Sequence, residues 1–165
     1  MIETPRLILR PPIYSDFKPM IEMFSEEPVL RQIGKLNRSE IWTRLLRDVG
    51  HWQLMGFGQF SIIERAQNTY TGKVGFAVFE RPLGRADTNI EMSWTLQSRF
   101  HGRGYATEAA QAVQHWFERD HRQPTACLIA VGNVLSLRLA ERLGYKEIDK
   151  VCRDKGDAII LQRDP

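Results

Sequence analysis

The stretch Arg99-Phe100-His101-Gly102-Arg103-Gly104-Tyr105-Ala106-Thr107-Glu108 is a short basic loop with two glycines that runs straight into an alanine-rich segment. After it, Ala106, Ala109, Ala110, Val113 and Phe117 recur at helical spacing, and residues 88–96 before it have the content of a strand. A strand, a loop and a helix in that order predict an α/β domain with the loop at a helix N-terminus. There, unpaired N–H groups and the positive end of the helix dipole favour an anion, and glycine lets the backbone approach it closely. Arg99, His101 and Arg103 can add charge. A tight turn before a helix uses glycine for conformational reasons alone, so the loop by itself reads two ways.

Other phosphate-binding signatures fit poorly. No Lys-Ser or Lys-Thr pair follows Gly104, as a nucleotide hydrolase loop requires, and the third glycine of a dinucleotide fingerprint would fall at Thr107. A second element sharpens the reading. After a short apolar strand over residues 126–131, Asn133 is suited to cap a helix, Leu135, Leu139 and Leu143 mark one face of it, and Gly144 is suited to end it.

With both elements in view, the chain resembles the GNAT acyltransferase superfamily. Arg99, Gly102 and Gly104 match its acyl-CoA loop, Arg/Gln-x-x-Gly-x-Gly/Ala. Asn133, Ser136, Gly144 and Tyr145 match its later Asn-x-x-Ser element, a short helix closed by glycine and an aromatic. Glu91-Met92-Ser93-Trp94 and Thr4-Pro5-Arg6-Leu7-Ile8-Leu9-Arg10 are similar to strands of the branch that includes the ribosomal-protein N-terminal acetyltransferases. The resemblance covers nearly the whole chain. It implies a three-layer α/β (α+β) fold with a mixed, mostly antiparallel sheet whose central strands splay, flanked by helices, as one domain over residues 1–165.

Periodicity places a strand at residues 7–10, then a helix capped by Ser15 or Asp16 and running to about Glu26, where Pro28 ends it. A second helix begins at Ser39 and frays near residues 55–58. Strands at 60–64 and 74–79, joined by a turn over 66–71, precede the strand at 88–96. After the motif helix come the strand at 126, the helix from Val134 and a terminal pair at 145–151 and 158–162.

The resemblance also implies roles. Backbone groups of His101, Gly102, Arg103, Gly104, Tyr105, Ala106 and Thr107 hold the pyrophosphate of acetyl-CoA, with Arg99 beside them. Thr95 and Leu96 pair with the amide-rich pantetheine arm like a neighbouring strand, and the Leu96 N–H faces the thioester oxygen. Glu91 matches the carboxylate that faces the acceptor amine and is the candidate base, through a water; an exposed strand carboxylate paired with an arginine is the other reading. Many relatives carry a tyrosine acid where this chain has Ala140, and in the ribosomal-protein branch the serine takes over, which points to Ser136. Local hydrogen bonding in a first helical turn would equally explain that serine. Asn133 combines an N-cap with a CoA contact, and Tyr145 packs at a strand start.

Composition narrows the partners. The chain has 165 residues, 42% of them hydrophobic and 26% charged, which suits a globular domain with a real core. The net charge of +3 is spread among 20 acidic residues with no basic run, which argues against nucleic acid. Cys127 and Cys152 make no disulfide framework, His51, His101, His115 and His121 have no metal-ligand spacing, and no apolar span of transmembrane length occurs. The expectation is a cytoplasmic N-acetyltransferase with no metal and no membrane partner. Its acceptor is a peptide N-terminus or a small-molecule amine, and a second copy of the chain is a further partner, since homodimers are common in the branch. A CoA-binding module without turnover is the alternative. Trp42, Trp52, Met55 and Phe57 are core or border the acceptor.

Overall fold

The computed structural model describes residues 1–153 and 156–165. It divides into two compact units, residues 1–75 with 94–116, and residues 76–93 with 117–165. The elements in chain order are β1 (Ile2–Glu3), β2 (Leu7–Arg10), α1 (Phe17–Phe24), α2 (Glu27–Ile33), α3 (Arg38–Met55), β3 (Gln59–Glu64) and β4 (Thr69–Val78). After them come β5 (Ile90–Leu96), α4 (Tyr105–Asp120), β6 (Thr125–Ala130), α5 (Val134–Arg142), β7 (Lys146–Val151) and β8 (Ala158–Arg163). Among the described residues, hydrogen bonding links eight strands in the order β1-β2-β3-β4-β5-β6-β8-β7, mostly antiparallel, with β5 and β6 parallel. The mixed, largely antiparallel α/β fold matches the expectation.

In the first unit, Met20, Met23 and Phe24 of α1, Val29 of α2, and Ile41 and Leu45 of α3 bury against Ile63 and Tyr70 of β3 and β4. α3 starts where Asn37 accepts from the Glu40 N–H at 3.0 Å and Glu40 accepts from the Asn37 N–H at 2.7 Å, a reciprocal cap. It ends at Gly56 in a left-handed conformation. Pro28 does not end a helix, contrary to the sequence reading; it lies in the first turn of α2, where a missing N–H costs nothing. The turn between β3 and β4 is tighter than expected because Asn68 takes a positive φ of 51° and Glu64 caps the Gln67 N–H at 2.9 Å.

A polar row crosses the same strands. Arg10, Ser61 and Lys73 are register partners on β2, β3 and β4. Asp16 takes two hydrogen bonds from Arg10 at 2.7 and 2.8 Å and one from Ser61 at 2.7 Å; Asp48 of α3 is paired with Lys73 and Arg47. Burial raises the carboxyl of Asp16, but these donors outweigh it and hold it below its ordinary value. Both carboxylates are buried and paired, so the row is internal structure.

In the second unit β6 runs antiparallel to β8, and β8 to β7, over Leu83, Ala126 and Ile160. Phe76 stacks on Phe117 at 4.1 Å between ring centroids. Residues 90–93 of β5 belong here, and Glu91 is the register partner of Ala126 in the parallel pair. Among the described residues no helix is long and apolar enough to cross a membrane.

Candidate active site

The loop before α4 lies in the first unit, and its local chemistry is visible in the hydrogen bonds. The Gln97 N–H donates to Thr71 O at 2.9 Å, anchoring the end of β5 to β4. A short 3-10 turn over Ser98–Phe100 follows, in which the His101 N–H donates to Ser98 O at 3.0 Å. Gly102 and Gly104 then adopt φ of 71° and 77°, the left-handed region that glycine enters without a Cβ penalty. The first intrahelical bond of α4 is Glu108 N–H to Gly104 O at 3.0 Å, so the N–H groups of Tyr105, Ala106 and Thr107 have no acceptor within the helix. Gly104, immediately before the helix, has no side chain with which to cap them. Residues 101–104 are exposed.

This is a fit for a pyrophosphate: a run of N–H groups at a helix N-terminus, presented by two positive-φ glycines, with arginines beside it. One adjustment to the sequence reading follows. The His101 N–H is occupied by Ser98 O, so the run of donors starts at Gly102. The His101 side chain is also committed, its Nε2 lying 3.0 Å from Leu96 O, a contact in which the ring nitrogen donates.

The direction of the Leu96 backbone groups follows from its neighbour. Gln97 donates toward β4, and across the planar trans peptide the Leu96 carbonyl must point the other way. In an extended strand a residue's N–H and C=O share a side, so the Leu96 N–H also points away from β4. Arg99 donates to Gln97 Oε1 at 3.0 and 3.2 Å, and Arg99 and Arg103 both lie over the Phe100 ring, at 4.9 and 5.5 Å. Phe100 in turn stacks on Tyr105 at 6.1 Å. The sequence reading gave Phe100 no role, and its place in the middle of the motif was the available signal.

The catalytic candidates lie in the second unit. Glu91 is buried, and both its oxygens accept from Arg81, with Nε–Oε2 at 3.0 Å, Nη2–Oε1 at 2.5 Å and Nη2–Oε2 at 2.7 Å. The carboxylate is thus paired with an arginine but buried rather than exposed, and Arg81 is a neighbour that sequence spacing did not single out. Asn133 caps α5 through its side chain, accepting from the Ser136 N–H at 3.2 Å. Ser136 sits half-buried in that first turn. Ala140, which stands where relatives carry tyrosine, is fully buried, and its carbonyl accepts from the Tyr145 N–H at 3.0 Å.

Tyr145 packs as expected. Its hydroxyl lies 2.7 Å from Thr125 Oγ1 and 3.5 Å from Met92 Sδ, deep enough that burial pushes its ionisation well up. Burial and the nearby Glu91 charge raise the Cys127 thiol far above its ordinary value, so it is held as the un-ionised thiol. In the first unit, Trp52 donates to Gln59 O at 2.8 Å and packs on Phe60 and Trp116, and Phe57 is buried; Met55 is exposed. No group of three or more metal-ligating side chains occurs among the described residues.

The family model described as Acetyltransferase (GNAT) domain matches residues 6–146. The uncharacterized N-acetyltransferase YnaD of Bacillus subtilis (strain 168) is 24% identical over 163 residues, covering 94% of this chain and 89% of that one. An acetyltransferase assigned to the GNAT family from Bordetella pertussis superposes with a TM-score of 0.87 at 31% identity, over 98% of each chain. RimL, a ribosomal L7/L12 alpha-N-protein acetyltransferase in complex with coenzyme A, shares the fold, with a TM-score of 0.79 at 16% identity over 98% of this chain and 95% of that one.

Proposed function

Because the chain belongs to the GNAT acetyltransferase family and is therefore an acyl-CoA-dependent acyltransferase, we propose that it moves the acetyl group of acetyl-CoA directly to a primary amine. The observation that carries this reading is the loop at 102–107, whose positive-φ glycines and uncapped helix N–H groups suit a pyrophosphate. Acetyl-CoA supplies an activated thioester. The chain's own residues then have three tasks.

The first is to hold the donor: the N–H groups of Gly102, Arg103, Gly104, Tyr105, Ala106 and Thr107 take the pyrophosphate, and Thr95 and Leu96 pair with the pantetheine amides. The Leu96 N–H, directed away from β4, donates to the thioester oxygen as negative charge develops there. The second task is to receive the amine proton. An α-amino group with a pKa near ~7.7–8.0 is partly neutral at pH 7, whereas a lysine near ~10.4 is not. An N-terminal or similarly weak amine therefore asks least of a base, and this suits a site whose carboxylate, Glu91, is already held by Arg81. Glu91 takes the proton through a water, with Arg81 fixing where the carboxylate points. The third is to meet the leaving thiolate with a proton or hydrogen bond, the role of Ser136, with Asn133 fixing the turn that carries it.

The acceptor is a protein N-terminus, as for RimL, or a small-molecule amine. The test is thiol release from acetyl-CoA against a panel of amines and N-terminal peptides, beside calorimetric CoA binding. Turnover with one class of amine supports the enzyme and identifies its acceptor. The second reading, a CoA-binding module, is favoured by the buried Ala140 in place of a tyrosine acid; it requires CoA binding with no thiol release from any amine.

A further inference from the structure

The opening strand motif is tied to the phosphate loop across about a hundred residues of sequence, and the contacts converge on one side chain, Arg6. Its Nη1 donates to Arg103 O at 2.7 Å and its Nε to Glu108 Oε2 at 2.7 Å. Its backbone N–H donates to Glu108 Oε1 at 3.0 Å, an oxygen that also accepts from Thr4 Oγ1 at 2.6 Å. The guanidinium lies 4.7 Å from the centre of the Tyr105 ring, and a Cβ placed on Gly104 would come within 3.3 Å of Arg6 Nη2. One arginine therefore touches the loop, the first residue of α4 and the first turn of α4 together.

Resting on the proposed acetyl-CoA reading, we infer that Arg6 is a positioning residue for pyrophosphate binding: it holds the Arg103–Gly104 peptide plane so that the Gly104 N–H faces the ligand. The reason is peptide geometry. The Arg103 carbonyl and the Gly104 N–H belong to one planar trans group and point in opposite directions, so binding the carbonyl from the strand side aims the N–H to the other side. Glycines at positive φ would otherwise let that plane rotate, since no side chain restrains it. Arg6 has a second effect. Glu108 puts a carboxylate in the first turn of α4, beside a site meant for an anion, and the guanidinium neutralises it. Burial raises the Glu108 carboxyl, but hydrogen bonds from Thr4 and Arg6 outweigh this and hold it below its ordinary value.

The experiment compares wild type, Arg6→Gln, Arg6→Lys and Glu108→Gln by calorimetry with CoA, by the KM and kcat of acetyl-CoA turnover, and by Tm. The expected result for Arg6→Gln is a CoA affinity lower by about tenfold, the scale of one charge-assisted hydrogen bond, with KM rising in parallel and kcat changing far less. Arg6→Lys keeps the charge opposite Glu108 but cannot bridge it to Arg103 O, so its Tm should recover while its CoA affinity stays low. It also decides the matter if Arg6→Gln does not fold. Glu108→Gln should lose less CoA affinity than Arg6→Gln, because the carbonyl contact survives.

A wild type that binds CoA, with both Arg6 variants binding it equally well and only Tm reduced, would overturn the inference and leave the acetyl-CoA reading standing. A wild type that does not bind CoA would overturn both.

Discussion

The chain contains two strand-to-helix junctions of similar design, and they end in opposite ways. At 97–108 the helix is preceded by Gly104, which has no side chain, and the first-turn N–H groups of α4 have no acceptor within the helix. At 130–136 the helix is preceded by Asn133, whose side chain accepts from the Ser136 N–H and closes the turn from within. The first junction is held by distant side chains, Arg6, Thr4 and Glu26, the last accepting from the Ser98 N–H at 2.5 Å. The second is capped from within, Asn133 also donating its N–H to Ala130 O at 2.9 Å, and takes one distant backbone contact, the Val131 N–H to Asp157 O at 3.1 Å. The difference lies at the caps: the α4 N-terminus leaves its first-turn donors without an acceptor in the helix, whereas the α5 N-terminus is closed by its own Asn133 side chain.

The strongest way to break this contrast is to give the open junction a side chain. Gly104→Val places a β-branched residue at φ 77°, against Arg6, and should reduce CoA affinity by about a hundredfold or more in calorimetry. Unchanged affinity would mean that the loop is a turn and not a cradle. On the closed junction, Ser136→Ala removes the proposed proton donor; kcat should fall by about ten- to a hundredfold while CoA binding persists, as stopped-flow or steady-state thiol release would show. An unaltered kcat would return Ser136 to a purely local role.

Asn133 separates cap from contact. Asn133→Ala should cost about 1 kcal/mol of stability, whereas Asn133→Ser, itself a good cap, should restore most of it in a denaturant titration. If the serine variant regains stability but binds CoA a few-fold more weakly, the amide touches the ligand. The smallest effect is a difference in acid sensitivity. The carboxyl of Glu108 is held below its ordinary value, so its contribution is full above the unfolded value and is lost as pH falls through the lower folded one. The Asn133 cap does not titrate. Below about pH 4.5, Tm should therefore fall more steeply for wild type than for Glu108→Gln, by a margin worth a few tenths of a kcal/mol.

Much of the site was legible because its signals are short-range. Gly102 and Gly104 announce positive φ, Asn133 announces a cap, and the apolar spacing of residues 106–117 announces a buried helix face. Tyr145 could be taken out of the catalytic set on its position after the helix cap, and it is buried against Thr125 and Met92. Pro28 misled because the same residue that stops one helix is tolerated in the first turn of the next, here two positions after the extended N-cap Glu26. The role of Phe100 as the ring between the arginines and Tyr105 was missed: its place inside the motif was a signal, but an aromatic in a loop has no periodicity to say what it packs on.

The order of strand, open loop and helix, the family to which the chain belongs and the positions of the two helix N-termini follow from the order of residues alone. Those features rest on backbone sterics and on hydrogen bonds between residues three or four apart. Only the tertiary structure decided which distant side chains complete them: Arg81 on Glu91, Glu26 on Ser98, and Arg6 with Thr4 on Glu108 and the loop carbonyl. Such pairs depend on strand register and on how elements pack, and a residue 102 positions away carries no local mark of its partner.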